Sequence, residues 1–276
     1  MSTRARWKSA GGGTSLIFLA GFATWSHLAW AEDRAVGAAS ACQPAVFATG
    51  LAGSASDGRT FALDDGREVR LAGIETPVAE ASAALAKDRL QALLAGAAVI
   101  LKGAASERDR YGRLFAQVFL AWTVPERWVQ AELVASGHAR VAAHVGDRAC
   151  AAELIRHERV ARSAKLGLWS DPYYALRRAE NPAAVAVERG RFTIVEGNVL
   201  SVRESGGTIY VNFGRRWSED FTVTIAKRNE RAFTAAGVEP KTLAGRRVRV
   251  RGWIEERGGP WVEATRPEQI ELVERN

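Results

Sequence analysis

Between residues 45 and 121 apolar and polar positions alternate in short runs, each closed by glycine, proline or an acidic turn. This period of two predicts strands over Ala45–Leu51, Thr60–Leu63, Glu68–Ile74, Ala97–Lys102 and Leu114–Ala121. Asp64-Asp65-Gly66 joins the second run to the third as a tight hairpin, because glycine takes the positive φ such a turn needs. Pro77 ends the third run, having no N–H for a ladder. The spacing then becomes helical. Leu85, Arg89, Leu93 and Ala86, Leu90, Leu94 recur every fourth residue and predict a helix over Ala79–Leu94 with one apolar stripe. Further helices are expected over Pro125–Ser136, with Pro125 in the first turn where its missing N–H costs nothing, and over Ala151–Lys165. Five short strands with three helices suit an α+β, mainly β fold, a small closed barrel of the oligonucleotide-binding (OB) type.

Residues 171–190 hold Asp171-Pro172, Asn181-Pro182 and an alanine-rich run, and read as a linker with one helical turn. A second pattern follows in residues 191–276: strands over Phe192–Arg203, Thr208–Phe213, Asp220–Ile225, Arg246–Glu255 and Trp261–Thr265, and a helix over Lys227–Ala236. Gly206-Gly207, Gly214 and Gly258-Gly259-Pro260 mark its turns. This suits a second, OB-like β-barrel. In Arg247-Val248-Arg249-Val250-Arg251 the three arginines share one face and the valines the other. That arginine face is either a track for a polyanion, with Arg246 and Trp253 or Trp261 beside it, or a solvated outer face. Phe213 and Trp217 flank Arg215 and Arg216 in a second aromatic-basic cluster with the same two readings.

The start of the chain changes the picture. Arg4, Arg6 and Lys8, then the apolar run Leu16–Trp25, then Ala29-Trp30-Ala31 have the layout of an export signal over residues 1–31, leaving an N-terminal arm over 32–44. The expected location is periplasmic or secreted; an uncleaved N-terminal anchor is the alternative, and no other stretch is a stable spanning candidate. The chain carries a net charge of +7; without the three leader cations about +4 remains, which permits a nucleic-acid partner without requiring one. The two cysteines, Cys42 and Cys150, have no metal-ligand spacing. In an oxidising compartment they are expected to form one disulfide, worth on the order of 4 kcal/mol through loop closure; two buried thiols are the other possibility.

Candidate chemistry lies at Arg70 and Glu75, a cation and a carboxylate on neighbouring backbone, able to hold a phosphate and a metal ion or simply to form a surface ion pair. Four ordered stretches decide how to read them: Asp57-Gly58-Arg59-Thr60, Arg70 through Pro77, Asp109-Arg110-Tyr111-Gly112-Arg113, and the helix over Ala151–Lys165 ending in Gly167-Leu168-Trp169, with Val129 through Gly137 between. In these, residues 45–170 resemble the staphylococcal nuclease (thermonuclease) family. The resemblance implies an OB barrel of five strands and three helices and hydrolysis of nucleic-acid phosphodiesters. Two arginines would grip the phosphate, two aspartates a calcium ion, and a glutamate after Thr-Pro would be the general base.

Carried over by position, Arg70 and Arg113 fill both arginine places. Glu75 stands at the second calcium aspartate, one methylene longer. Arg59 stands at the first, a charge reversal that opposes a cation. Val78 stands at the general base; Glu80, two residues on, is a substitute candidate, and Asp57 or Asp64 a spare carboxylate. Tyr111 can contact a sugar or base. His138, His144 and His157 can serve as phosphate or acid–base groups or be ordinary surface residues. No cofactor is certain, and calcium is possible only against Arg59. The expected function is an exported phosphate- or nucleic-acid-binding module with a degenerate nuclease site. The alternatives are an active DNA or RNA phosphodiesterase, including a metal-independent one using Arg59, and an envelope protein-interaction module.

Overall fold

The strand Glu68–Leu71 closes the first half of the protein on itself. It pairs antiparallel with Thr60–Leu63 on one side and parallel with Leu114–Leu120 on the other. The computed structural model describes residues 40–273, so the expected export signal lies outside the described residues. In chain order the first half holds β1 (Val46–Asp57), β2 (Thr60–Leu63), β3 (Glu68–Leu71), β4 (Ile74–Glu75), α1 (Glu80–Leu94), β5 (Ala98–Lys102), β6 (Leu114–Leu120), β7 (Arg127–Trp128), α2 (Val129–Ala135), β8 (Arg140–Val141) and α3 (Arg148–Ser163). The sheet order is β3-β2-β1-β5-β6-β7, closed by the β3–β6 pairing; β4 and β8 form a separate ribbon. Phe61, Val69, Leu90, Leu101, Phe119, Leu133 and Leu154 fill its core.

Several expected boundaries move, each for a visible reason. β1 runs to Asp57 instead of stopping at Leu51, because irregular register between Ala52 and Asp57 bends one strand far enough to pair with both β2 and β5. Pro125 is not in a helical turn. It follows a cis peptide after Val124, and Arg127-Trp128 then pairs with β6, where Trp128 stacks on Phe119 at 5.8 Å; α2 starts only at Val129. α3 starts at Arg148, before the expected Ala151, because the Asp147 carboxylate accepts from the Cys150 N–H and caps the helix. In α1 the stripe is narrower than expected: Ala86, Leu90, Leu93 and Leu94 are buried while Leu85 is exposed. The Gly66 turn forms as expected, with positive φ.

The Gly167-Leu168-Trp169 stretch has a packing cause. Gly137 and Gly167 sit backbone to backbone, each at positive φ, and a Cβ on either would collide with the other's chain. The Leu168 N–H donates to the Gly137 carbonyl at 2.9 Å. The cysteines form the expected disulfide, Cys42–Cys150. The arm before it is also held by α3: Ser40 Oγ and the N–H groups of Ala41 and Cys42 all donate to the Glu153 carboxylate, at 3.0, 2.7 and 3.3 Å.

Residues 171–190 contain the expected helical turn, α4 (Pro182–Ala186), and also β9 (Arg177–Arg178), which adds to the edge of the second half. Tyr174, Ala179, Val185 and Glu188 are buried, so this segment is laid into the structure along its length. The second half continues with β10 (Phe192–Asn198), β11 (Ser201–Ser205), β12 (Thr208–Asn212), β13 (Thr222–Ala226), α5 (Glu230–Ala235), β14 (Arg247–Trp253), β15 (Glu255–Arg257), β16 (Gly259–Glu263) and β17 (Ile270–Leu272). The expected long strand from Phe192 breaks at Val199-Leu200 into β10 and β11, which serve different sheets. One sheet runs β17-β14-β10-β9 and the other β11-β12-β13-β16-β15. They enclose Val195, Ile209, Phe221, Phe233, Val248 and Val262, giving an OB-like β unit. A small shared core of Ala161, Leu168, Trp169, Tyr174 and Ile194 joins α3, the 171–190 segment and β10. Among the described residues no helix is long and apolar enough to cross a membrane.

Candidate functional site

Strand pairing brings the nuclease-like residues of the first barrel together. Thr60 lies opposite Arg70 in the β2–β3 hairpin, which sets Arg59 beside it, and the parallel β3–β6 pairing places Arg70 opposite Phe115, two residues after Arg113. Arg113 is held by Asp109. Its Nε donates to Asp109 Oδ2 at 2.7 Å, and the N–H groups of Tyr111 and Arg113 donate to Oδ1 at 2.9 and 3.1 Å. The first residue of the Asp-Arg-Tyr-Gly-Arg run therefore folds the loop and aims its last. The Asp109 hydrogen bond raises the Arg113 pKa further; Asp109, against the cost of its partial burial, is held below the usual carboxylate range by that bond.

Arg70 differs. Among the described residues its guanidinium has no hydrogen bond or ion pair. Partial burial, then repulsion from Arg59 and Arg113, pulls its pKa below the ordinary guanidinium value, with Glu75 and Asp109 pulling the other way. It remains charged. Arg70, Arg59 and Arg113 thus lie close enough for their charges to act on one another. Tyr111, 66% exposed, stands at their edge with the Arg110 guanidinium 4.7 Å and the Arg113 guanidinium 5.1 Å from its ring centre.

The carboxylate side is closed. Arg59 Nη1 donates to Glu75 Oε2 at 2.5 Å and reaches the Ile74 carbonyl at 3.4 Å, while its own N–H is tied to Asp57 Oδ1 at 2.7 Å. The guanidinium sits on the carboxylate that would have held a cation. No group of three or more His, Cys, Asp or Glu able to hold a metal occurs among the described residues. The donor set does not fit calcium, and Glu75 is a partner for Arg59. Val78 is 70% exposed, and its N–H donates to the Tyr174 hydroxyl at 3.0 Å. Glu80 is the exposed first residue of α1, and its carboxylate has no hydrogen bond or ion pair among the described residues. Asp64 lies in the far hairpin turn, 3.4 Å from the Leu51 N–H.

The expected arginine track on β14 is elsewhere and is not free. Val248 and Val250 do enter the core, but the opposite face meets carboxylates rather than water. Arg247 and Arg249 share Glu196, at 2.5 Å each, and Arg249 also donates to Glu271 at 2.8 Å. Arg251 is 1% exposed. It donates to Glu158 of α3 at 2.8 Å and to the Val141 carbonyl at 3.1 Å, so it spans the two halves. The alternation holds, and the arginine face is neither an open track nor a plain solvated face, because acids from β10, β17 and α3 pack against it. Trp253 is 56% exposed and meets Phe192 edge-on, whereas Phe213 is a core residue against Phe221 and so leaves the expected second cluster; Trp217 is exposed.

None of the three histidines contacts Arg70. His138 bonds Ser136 at 3.0 Å and is held below the usual imidazole pKa by burial, then by Arg89. His157 is lowered by burial, then by Arg156, near Glu153. His144 stands 4.0 Å from both Glu107 and Glu268. Sequence reasoning missed two residues beside the site. Tyr174 pins the loop after Pro77, and the buried Arg140, opposite Glu75 in the β4–β8 ribbon, lies over the rings of Tyr174 and Phe192 at 5.3 and 4.6 Å. An arginine followed by a buried aromatic far downstream carries no local signal.

The strand order β3-β2-β1-β5-β6, closed by the β3–β6 pairing, defines an OB-type barrel, with Arg59, Arg70 and Arg113 at one place on it. Its kind is given by comparison: residues 68–171 match the model of the family described as staphylococcal nuclease homologue. The first barrel is a staphylococcal nuclease-like domain, a fold compatible with nucleic-acid binding. No curated protein matches the chain.

Proposed function

We propose that the first barrel binds the phosphate backbone of nucleic acid and has lost calcium-dependent hydrolysis. Arg70 is the free contact, Arg113 is held ready by Asp109, and Tyr111 offers a stacking face. The observation that carries this reading is the Arg59–Glu75 pair, which replaces a metal ligand with a fixed cation. Export is part of the proposal; the basic-then-apolar leader and the Cys42–Cys150 bridge both suit an oxidising compartment.

The test is binding and cleavage of single-stranded DNA and RNA by the full chain, in calcium and in chelator, beside Arg70→Ala. Binding without cleavage, weakened about tenfold or more by Arg70→Ala, is the expected result. Calcium-dependent cleavage lost in the variant would overturn the degenerate reading. Cleavage in chelator would overturn it in another direction, making Arg59 a working replacement for the metal charge.

A further inference from the structure

The second OB-like unit has cations without partners, on the sheet opposite the one where the arginine run lies. The open face of the sheet β11-β12-β13-β16-β15 forms a groove of about 1010 Å³. Arg203 from β11, Arg215 from the loop after β12 and Arg257 from β15 line it, all exposed. None has a carboxylate within ion-pair distance among the described residues. The arginine run on β14 differs: Arg247, Arg249 and Arg251 are matched by Glu196, Glu271 and Glu158. The groove's one lining carboxylate is Glu263, so its net charge is positive.

Three aromatic side chains accompany these cations. Trp261 forms part of the floor, its indole N–H donating to Thr224 Oγ1 at 2.9 Å and the Arg257 guanidinium lying 3.8 Å over its ring. Tyr210 lies on the same face, and Trp217 stands 73% exposed at the side. The exposed ring of Trp217 leaves a π face open beside the groove cations. Arginine forks match phosphate oxygens, and π faces stack on bases that are not already stacked in a duplex. The groove takes its lining from five strands, and its volume stands at the upper limit of ordinary ligand pockets, room enough for more than one nucleotide.

We propose that this groove is a second binding site, for a single-stranded nucleic acid, with Arg203, Arg215 and Arg257 on the phosphates and Trp217 stacking on a base. It shares the ligand class of the function proposed above, but none of its residues, so each site can fail alone.

The probe is a fluorescein-labelled oligothymidylate or oligouridylate of about a dozen nucleotides, titrated with the full chain at low and raised salt. Arg203→Ala/Arg215→Ala/Arg257→Ala is expected to weaken binding at least about tenfold and to flatten the salt dependence by about two to three phosphate contacts. Trp217→Phe is expected to remove most of the intrinsic fluorescence quenching seen on binding. All four residues are exposed, so unchanged circular dichroism and melting temperature are expected alongside. Wild-type affinity in the folded triple variant overturns the proposal. So does arginine-dependent binding of a heparin oligosaccharide in place of either oligonucleotide, which would make the groove a glycan site. Loss of affinity in the triple variant with Arg70→Ala unaffected keeps the groove and refutes the first-barrel reading; the reverse pattern refutes the groove alone.

Discussion

A calcium ion at Glu75 would have to displace a guanidinium that is already covalently tethered beside it. Arg59 loses no translational freedom in binding Glu75, and its backbone is fixed by Asp57 and by the carbonyl bond to the Leu71 N–H. A free divalent ion wants several anionic oxygens, and here it would find one already shared. The substitution Arg59→Asp reverses both terms, freeing Glu75 and adding a second carboxylate at the turn. We expect that variant to bind calcium with a dissociation constant in roughly the millimolar range, read by calorimetry or terbium luminescence, and Arg59→Asp/Glu75→Gln to lose it again. Equal calcium uptake by the wild-type chain would show that Arg59 does not block the position.

At the scale of the element, β14 illustrates what a sequence can and cannot disclose. Alternation assigned Val248 and Val250 to the core, because period two depends only on the strand's own geometry. It could not say what covers the other face, since Glu158 lies 93 positions before Arg251 and reaches it only through tertiary packing. The same limit separates the residues of the site. Arg70 and Glu75 draw notice as neighbours on local backbone and Arg113 through the family resemblance, whereas the Tyr174 bond to Val78 spans 96 positions and the groove takes its lining from five strands. The Pro125 turn was misread for a related reason: proline suits a helix start and a cis turn equally, and burial of Trp128 settles which. Because Arg251 and Glu158 are both buried, removing Arg251 leaves Glu158 with only the longer Arg162 contact and the Val141 N–H. Arg251→Met should cost about 3–5 kcal/mol, measured by chemical denaturation, and adding Glu158→Gln should recover part of that loss while keeping an acceptor for the Val141 N–H. Equal stability of the single and double variants would mean the pair is not coupled.

For the molecule as a whole, the acids of the joint make its stability depend on pH. Burial opposes ionisation of Glu271, but Arg251, Arg162, Arg159 and Arg249 around it outweigh that and hold its pKa below the usual value. Glu196 is lowered in the same way by Arg249 and Arg247 against its own burial. A depressed folded pKa means that the unfolded chain takes up protons first on acidification. The contribution is therefore complete above the unfolded carboxylate pKa of about 4.3 and is lost as pH falls through the lower folded values. The urea midpoint should hold from neutrality to about pH 5 and drop below about pH 4, and Glu271→Gln should flatten that acid limb while lowering the neutral plateau. An acid limb identical to wild type would place the sensitive groups elsewhere. The Glu158–Arg251 contact has a last consequence, for descent. A recombination event that separated these halves would uncover Glu158 and Arg251 to water, each keeping only the partner from its own half, Arg162 and Glu271. Either half moved alone would carry a charge and a face shaped for the other, so joint inheritance of the two barrels is the expected pattern.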